Sequence, residues 1–252
     1  MSKIALCFLT YENLSRPKLW SQYINKYKTY LNVYIHNKID FIDNKYGLHK
    51  YCVNKKKRVA TQYAHKSLVE ATLTLFKKAF KHGDNKFFIL LSDTCVPLYS
   101  FNYIYEKINS LNSNIIHEIN YVEQPRFDEV TDKSFFSEKK FLKNSQWITL
   151  NRDTVKFFLT HLFLHLFSDN CYAVDEHYFG NICNKYNINF VNQPITYVNW
   201  DDKSDDTNDK PLPKTYNILT NAMVNEIKRN TPSFFMRKIS DTCVLPSCFN
   251  NL

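Results

Sequence analysis

The sequence predicts an α/β sandwich, a mostly parallel sheet flanked by helices, and two observations carry the prediction. Short apolar runs of strand length, Ile4–Leu9, Val33–His36 and Phe87–Leu91, alternate with longer segments of helical periodicity, Lys18–Tyr30 and Ser67–Phe80. The 252 residues are enough for one sizeable core and show no linker or internal repeat, so residues 1–252 are read as a single domain.

Ile4–Leu9 is uncharged and opens the chain as a buried strand. Lys18–Tyr30 and Val33–His36 follow it, and strand, helix, strand in this order is a right-handed parallel unit. Asn54–Arg58 is a basic stretch read as a solvated loop. Ser67–Phe80 places Leu68, Ala71, Leu75 and Ala79 on one face, with Ser67 and Glu70 spaced as a capping box. Phe87–Leu91 ends at Ser92, Asp93 and Thr94; Pro97 then begins a turn, and Phe101–Leu111 is another helix. Gln124–Lys143 is polar, aromatic and irregular, long for a loop inside one domain, and so read as functional or mobile. Gln146–Leu150 is read as a strand and Asp153–Phe167 as a helix capped by Asp153. Val174–Cys183 is read as a helix opening with Asp175 and Glu176, and Ile188–Val198 contains a strand broken by Pro194. In such sheets ligands sit beyond the C-terminal strand ends, so Thr10–Tyr11, His36–Asn37 and Ser92–Thr94 form the expected floor of a site.

Composition removes several classes of function. Only Gly47, Gly83 and Gly180 are present, with neither GxGxxG nor Walker A, so a bound phosphate must be held by side chains or a helix N-terminus. The net charge of +9 suits an anionic partner, but no basic-aromatic repeat or zinc-finger spacing occurs and nucleic acid is not expected. The longest apolar run, Phe157–Phe167, is far short of the ~20 residues of a membrane-spanning helix, and MSKIALCFLTYE turns polar too early for a signal peptide. The expected location is cytoplasmic. The seven cysteines are odd in number and irregular in spacing, so reduced structural thiols are expected; Cys243 and Cys248 would pair only in an oxidising compartment. His161 and His165 have a zinc-compatible spacing but no third ligand nearby, and both read as core histidines.

The segments KIALCFLTY, VYIH, TQYAHKSLVEATLTL, FFILLSDTCVPLYSFNYIY, KNSQWITLNRD, DEHYF, TYVNW, PKTY and FFMRK run in order from Lys3 to Lys238. As an ordered set they resemble the core-2/I-branching β-1,6-N-acetylglucosaminyltransferase family (glycosyltransferase family 14), which includes xylosyltransferases and plant relatives. LLSDTCVPLYSF, SQW and DEHYF are closest to the plant-like branch. The resemblance implies a GT-A-like (Rossmann-type) fold and transfer of a sugar, foremost N-acetylglucosamine, from a UDP-sugar to a glycan or glycoprotein hydroxyl. It implies inversion, a β-linked product and no metal or other cofactor. Glu176 matches the family's base, Lys214 and Lys238 its diphosphate-binding basic residues, with Arg237 adjacent, and Trp200 an acceptor-side aromatic. Thr61 and Tyr63 match a Thr-x-Trp element near the nucleotide, and His36 matches the family's histidine. Three positions depart: Lys38 stands where an Asp contacts the nucleoside, with Asp40 as a substitute; Tyr63 replaces Trp; and Gln146 replaces the Asp of the xylosyltransferase SDW segment. Relatives usually carry an N-terminal membrane anchor, whereas this chain begins directly at the first strand.

The chemistry agrees with these residue types. Single displacement needs a base for the acceptor hydroxyl and positive charge for the leaving UDP. Glu176 fits the first role, although a first-turn helix acid is the bland reading. Lys214, Arg237 and Lys238 fit the second, against a solvated basic surface. Thr10, Tyr11, His36, Thr61 and Tyr63 are nucleoside-side candidates; Tyr11 and Tyr63 either stack on uracil or pack. Asp93, Glu123, Arg126, Gln146, Trp147 and Trp200 are candidates for the donor and acceptor sugars, and Asp93 equally suits a turn cap at Thr94. Asp201, Asp202, Asp205 and Asp206 imitate the acidic motif of metal-dependent glycosyltransferases but follow no suitable strand, and read as an exposed acidic loop. The competing function is a non-catalytic nucleotide- or glycan-binding relative, with Lys38 and Tyr63 as marks of decay.

Overall fold

Strand β1 (Lys3–Thr10) is buried from Ile4 onward and lies parallel between β2 (Leu31–Asn37) and β3 (Asn85–Ser92). A strand buried on both faces must be apolar throughout, which is why its sequence shows a run and not an alternation. The structure is a computed structural model and describes residues 2–40, 45–119, 124–200 and 212–252. Helix α1 (Pro17–Tyr27) makes the crossover from β1 to β2. Its proline near the N-terminus presets the helical φ, and it buries Trp20, Tyr23, Ile24 and Tyr27. Helix α2 (Ser67–Phe80) leads into β3 and packs against β1 and β2.

Beyond β3 come β4 (Val96–Pro97), α3 (Phe101–Leu111), β5 (Asn114–Ile115), β6 (Glu118–Ile119), α4 (Gln124–Asp128), β7 (Lys143–Asn144), β8 (Thr149–Asn151) and α5 (Arg152–Thr160). They are followed by α6 (Tyr178–Lys185), β9 (Phe190–Val191), β10 (Thr196–Val198), β11 (Tyr216–Ile218), α7 (Asn221–Asn230), β12 (Phe235–Arg237) and β13 (Ile239–Val244). The central sheet has the order β2-β1-β3-β8-β5-β9, with β8 antiparallel to both neighbours. It is the mixed α/β arrangement expected, consistent with a GT-A-like fold. A second sheet, β10-β12-β4, and the pair β11-β13 carry the C-terminal residues back to the ends of β1 and β3. They enclose a smaller core around Val96, Tyr216, Val224, Met236 and Ile239.

Several local expectations are corrected. No capping box forms on α2: the Ser67 hydroxyl instead accepts from the Gln62 N–H at 2.9 Å, and the Ser67 N–H donates to His65 Nδ1 at 3.1 Å. The strand expected at Gln146–Leu150 is Thr149–Asn151, because Trp147 is drawn out of the sheet and under Arg237. Helix α5 is capped by Asn151, whose Oδ1 accepts from the Thr154 N–H, and it ends at Thr160 and not Phe167. His161 is therefore extended, and both His161 and His165 are exposed; they share no helix face and are not core residues. Among the described residues no cluster of His, Cys, Asp or Glu could hold a metal. The expected helix Val174–Cys183 is a 3-10 turn, Val174–Glu176, a break at His177, and then α6. Ile188–Val198 supplies two strands to different sheets, on either side of Pro194. All seven cysteines are free, Cys243 and Cys248 included.

Gln124–Lys143 is not a loose loop. Phe127, Val130, Phe136 and Phe141 are buried, and rings from Phe135, Phe136, Phe141 and Phe167 pack edge to face or tilted. These aromatics fix the segment against α6. The seam is tight at Gly180, where an added Cβ would lie 2.6 Å from Asn144 Cγ and would have to displace that buried amide. Among the described residues no helix is long and apolar enough to cross a membrane.

Candidate active site

The ends of β1 and β3 are tied together by Asp93. Its Oδ2 accepts from the Tyr11 N–H at 3.1 Å and its Oδ1 from the Thr94 N–H at 2.8 Å. Asp93 is thus the turn cap that its position allowed, and it also joins two strand ends. Burial pushes its carboxyl up, against the pull of these N–H groups and of the nearby Arg237 and Lys238 charges. Tyr11 is exposed, with the Lys38 ammonium 5.6 Å from its ring centroid, while Thr10 is buried and its hydroxyl donates to the Glu12 carbonyl.

His36 is fully buried and its Nε2 accepts from the Val59 N–H at 2.9 Å. Burial lowers its pKa to about 4, so the ring is neutral and fixes the segment that leads to Thr61, itself buried. Asp40 is paired with Lys55 at 2.6 Å and with Arg58 at 2.5 Å, so its carboxylate is already committed to two cations.

The three basic residues near the C-terminus converge. The Lys238 N–H donates to the Lys214 carbonyl at 3.3 Å, and the Tyr216 N–H donates to the Lys238 carbonyl at 2.8 Å, which sets the two lysines side by side, Lys214 just ahead of β11 and Lys238 between β12 and β13. The Ile239 N–H donates to the Thr94 carbonyl at 3.0 Å, which fixes this pair at the end of β3. Arg237 stacks its guanidinium 4.7 Å from the Trp147 ring centroid, and burial lowers its pKa. Burial likewise lowers that of Lys238, with the Arg237 charge acting in the same sense. Trp200 is half-exposed and directly follows Asn199, whose carbonyl accepts from the Lys214 N–H at 2.8 Å. Gln146 is half-buried beside Trp147.

Glu176 sits at the end of the 3-10 turn between two cations. Arg126 Nη1 donates to its Oε2 at 2.7 Å, and Lys143 Nζ lies 3.4 Å from the same oxygen. Oε1 takes part in neither contact. Arg126 is itself oriented by His177. That ring donates from Nδ1 to the Leu142 carbonyl at 3.0 Å, stacks on Phe141 at 4.8 Å, and meets Arg126 Nη1 with Nε2 at 3.2 Å. A carbonyl can only accept, so Nδ1 carries the proton and Nε2 is the acceptor for the guanidinium. Burial and the Arg126 charge lower the His177 pKa to about 3, in keeping with a neutral ring. The Tyr172 ring covers Arg126 at 5.1 Å, and Tyr63 meets Tyr172 at 6.4 Å.

Beside Glu176, Asp175 is buried and its Oδ1 has no hydrogen-bond partner among the described residues. Burial and then the Glu176 charge raise its pKa from 3.8 to about 7. The folded chain keeps this proton up to about pH 7, whereas the unfolded chain releases it near its ordinary value; the unfolded state binds fewer protons between the two, so stability falls as pH rises across that window. Asp175→Asn is expected to match the native chain at about pH 3, below the ordinary carboxyl value, and to exceed it at pH 8 by roughly 4 kcal/mol. Melting curves of both chains at the two pH values check this; an equal difference at both would show that Asp175 does not hold its proton.

The structure thus brings Glu176, Arg126, Tyr63, Arg237, Lys238, Lys214, Asp93 and Trp147 into one continuous region, with Tyr63 within electrostatic reach of Arg237. Glu123 and the acidic run from Asp201 to Asp209 lie outside the described residues. Lys143, Tyr172 and His177 were not singled out in the sequence. A lone lysine, tyrosine or histidine has no local signature, and these three matter only through partners up to 109 residues distant, as Tyr63 is from Tyr172. A cleft of mixed character, lined by Tyr197, Asn199, Tyr216, Met223, Glu226 and Ile227, lies against α7, on the Tyr216 side of the two lysines.

The model of the family described as Branch: Core-2/I-Branching enzyme matches residues 4–229. Among curated proteins, Glycosyltransferase BC10 of rice (Oryza sativa subsp. japonica) is 24% identical over 155 residues, which is 60% of this chain and 39% of the rice protein. The match therefore spans well under half the length of that relative. A solved structure, A197 from STIV, has 10% identity and a TM-score of 0.28, over 61% of this chain and 67% of that one; a likeness this small carries no argument.

Proposed function

The chain belongs to the core-2/I-branching enzyme family, whose members are glycosyltransferases, and from that premise we propose that it moves a sugar from a UDP-sugar to a glycan hydroxyl by a single inverting displacement. The observation that carries the reading is one region that holds the Glu176 carboxylate and the three cations Lys214, Arg237 and Lys238, beside the C-terminal ends of the parallel strands β1 and β3. Glu176 is the base. Arg126 and Lys143 hold Oε2, so Oε1 takes the acceptor proton as the acceptor oxygen attacks the anomeric carbon. The bond from that carbon to the diphosphate breaks, and the electron pair leaves with UDP. Lys214, Arg237 and Lys238 stabilise the leaving charge, which is the task that a metal performs in other transferases. UDP-N-acetylglucosamine is the first donor to test. Thr10, Tyr11 and Thr61 line the nucleoside end, with Lys38 in place of the usual acid.

Melting curves with a panel of nucleotides and UDP-sugars, each with EDTA and with Mn²⁺, test this reading. A ligand that binds only the folded state raises the melting temperature by mass action. UDP and one UDP-sugar are expected to stabilise the chain equally in EDTA and Mn²⁺. Stabilisation only with Mn²⁺ would remove the metal-independent mechanism, and no shift with any nucleotide would remove the function.

A further inference from the structure

Tyr63 and Tyr172 stand out among the exposed aromatic residues. Tyr63 is 85% exposed and Tyr172 48%, yet their rings meet edge to face at 6.4 Å and 70°. Each is followed or preceded by constrained backbone. Ala64 and Ala173 both adopt the left-handed conformation, at φ 53° and 52°, and the Ala173 N–H donates to the Ala64 carbonyl at 2.5 Å. A non-glycine residue there costs about 1–3 kcal/mol, and such residues persist where the surroundings impose them and function uses them. Here the surroundings do impose them. Cys171 and Val174 are buried on one side of the clasp, and Lys66 pairs with Asp169 at 2.7 Å across it. Two loops are thus locked back to back, and both tyrosines are turned outward.

Their position identifies what they face. Tyr172 lies over Arg126, which contacts Glu176, and Tyr63 is within reach of the Arg237 charge. The pair therefore stands between the base and the diphosphate cations, at the sugar end of the site. The nucleoside-end residues Tyr11 and Lys38 lie at the ends of β1 and β2. We propose that Tyr63 and Tyr172 form a stacking platform for a pyranose ring of the acceptor, holding its reacting hydroxyl toward Glu176. This assignment rests on the transferase reading above and moves Tyr63 from the nucleoside to the acceptor. The fit is chemical: the face of a pyranose that carries axial C–H groups is apolar and slightly positive, and complements the negative face of a phenol ring. Arg126 and Lys143 then meet the ring's hydroxyls at the platform's edge.

Saturation-transfer NMR with methyl β-galactoside, methyl β-N-acetylglucosaminide and methyl β-xyloside, each in the presence of UDP, tests the platform. In the native chain at least one glycoside is expected to receive saturation mainly at H1, H3 and H5, which share one face. Tyr63→Ala and Tyr172→Ala should each weaken its binding roughly tenfold, while the Phe variants retain it and UDP affinity stays unchanged. The Phe variants also control for folding, since they keep the rings. Unchanged glycoside binding in the Ala variants, or no transfer to any glycoside from a native chain that binds UDP, overturns the platform. Loss of UDP affinity in Tyr63→Ala with glycoside binding intact returns Tyr63 to the nucleoside and also overturns it. A native chain that binds neither UDP nor glycoside overturns the transferase reading together with the platform.

Discussion

Glu176→Gln is expected to lower transfer by roughly 10²–10⁴-fold while UDP affinity stays as in the native chain. The amide keeps the shape of the carboxylate and can still accept the Arg126 N–H that now reaches Oε2 at 2.7 Å. What it loses is the capacity to take a proton. Glu176 is also an anion between two cations, because Arg126 and Lys143 meet the same oxygen. Removing the charge leaves two cations without that partner, so a loss of stability of about 1 kcal/mol accompanies the kinetic effect. The measurement is UDP release from a UDP-sugar in the presence of acceptor, with UDP binding measured on the same preparation. Turnover near the native rate would take the base assignment away from Glu176. Tight UDP binding by a native chain that transfers nothing to any acceptor would favour the non-catalytic relative.

Lys238→Ala is expected to weaken UDP binding by roughly 10–100-fold, the scale of one charged hydrogen bond. Lys238 is half-buried, and burial with the Arg237 charge already lowers its pKa. A diphosphate would relieve both by supplying the opposite charge. Because its backbone, and not its side chain, makes the bonds to Lys214 and Tyr216, the substitution should leave the fold intact. Arg237→Met should behave differently. Its guanidinium lies on Trp147 and beside Asp93, the residue that ties the ends of β1 and β3, so stability and UDP affinity should fall together. Calorimetric titration of UDP into each variant, with melting curves alongside, separates the two. Equal UDP affinity in native and Lys238→Ala chains would move the diphosphate elsewhere.

What was legible in the sequence follows from how each signal is encoded. The three parallel strands were visible because burial on both faces demands uninterrupted apolar runs, as in Ile4–Leu9. Helix α2 was visible through its periodicity, whereas its cap was not, because Ser67 is taken by a longer-range partner, the Gln62 N–H. The break at His177 was hidden for a related reason. Periodicity continues from Val174 into α6, but the ring is held by Leu142 and Arg126, neither of which the local sequence can show. The end of α5 at Thr160 was likewise decided by the aromatic cluster, which buries Phe163 and Phe167 and leaves His161 and His165 outside.

By itself, then, the sequence determined the class of fold, the parallel strands at its centre, and the family whose ordered segments it repeats. Those are properties of runs, spacings and residue types. Only the tertiary structure decided that Arg126 and Lys143 clasp Glu176, that Asp93 joins two strand ends, and that Tyr63 faces Tyr172. Each of these is a contact between residues far apart in the chain, set by packing and burial, and the strength of a charge or a ring in such a place depends on neighbours that no local pattern specifies.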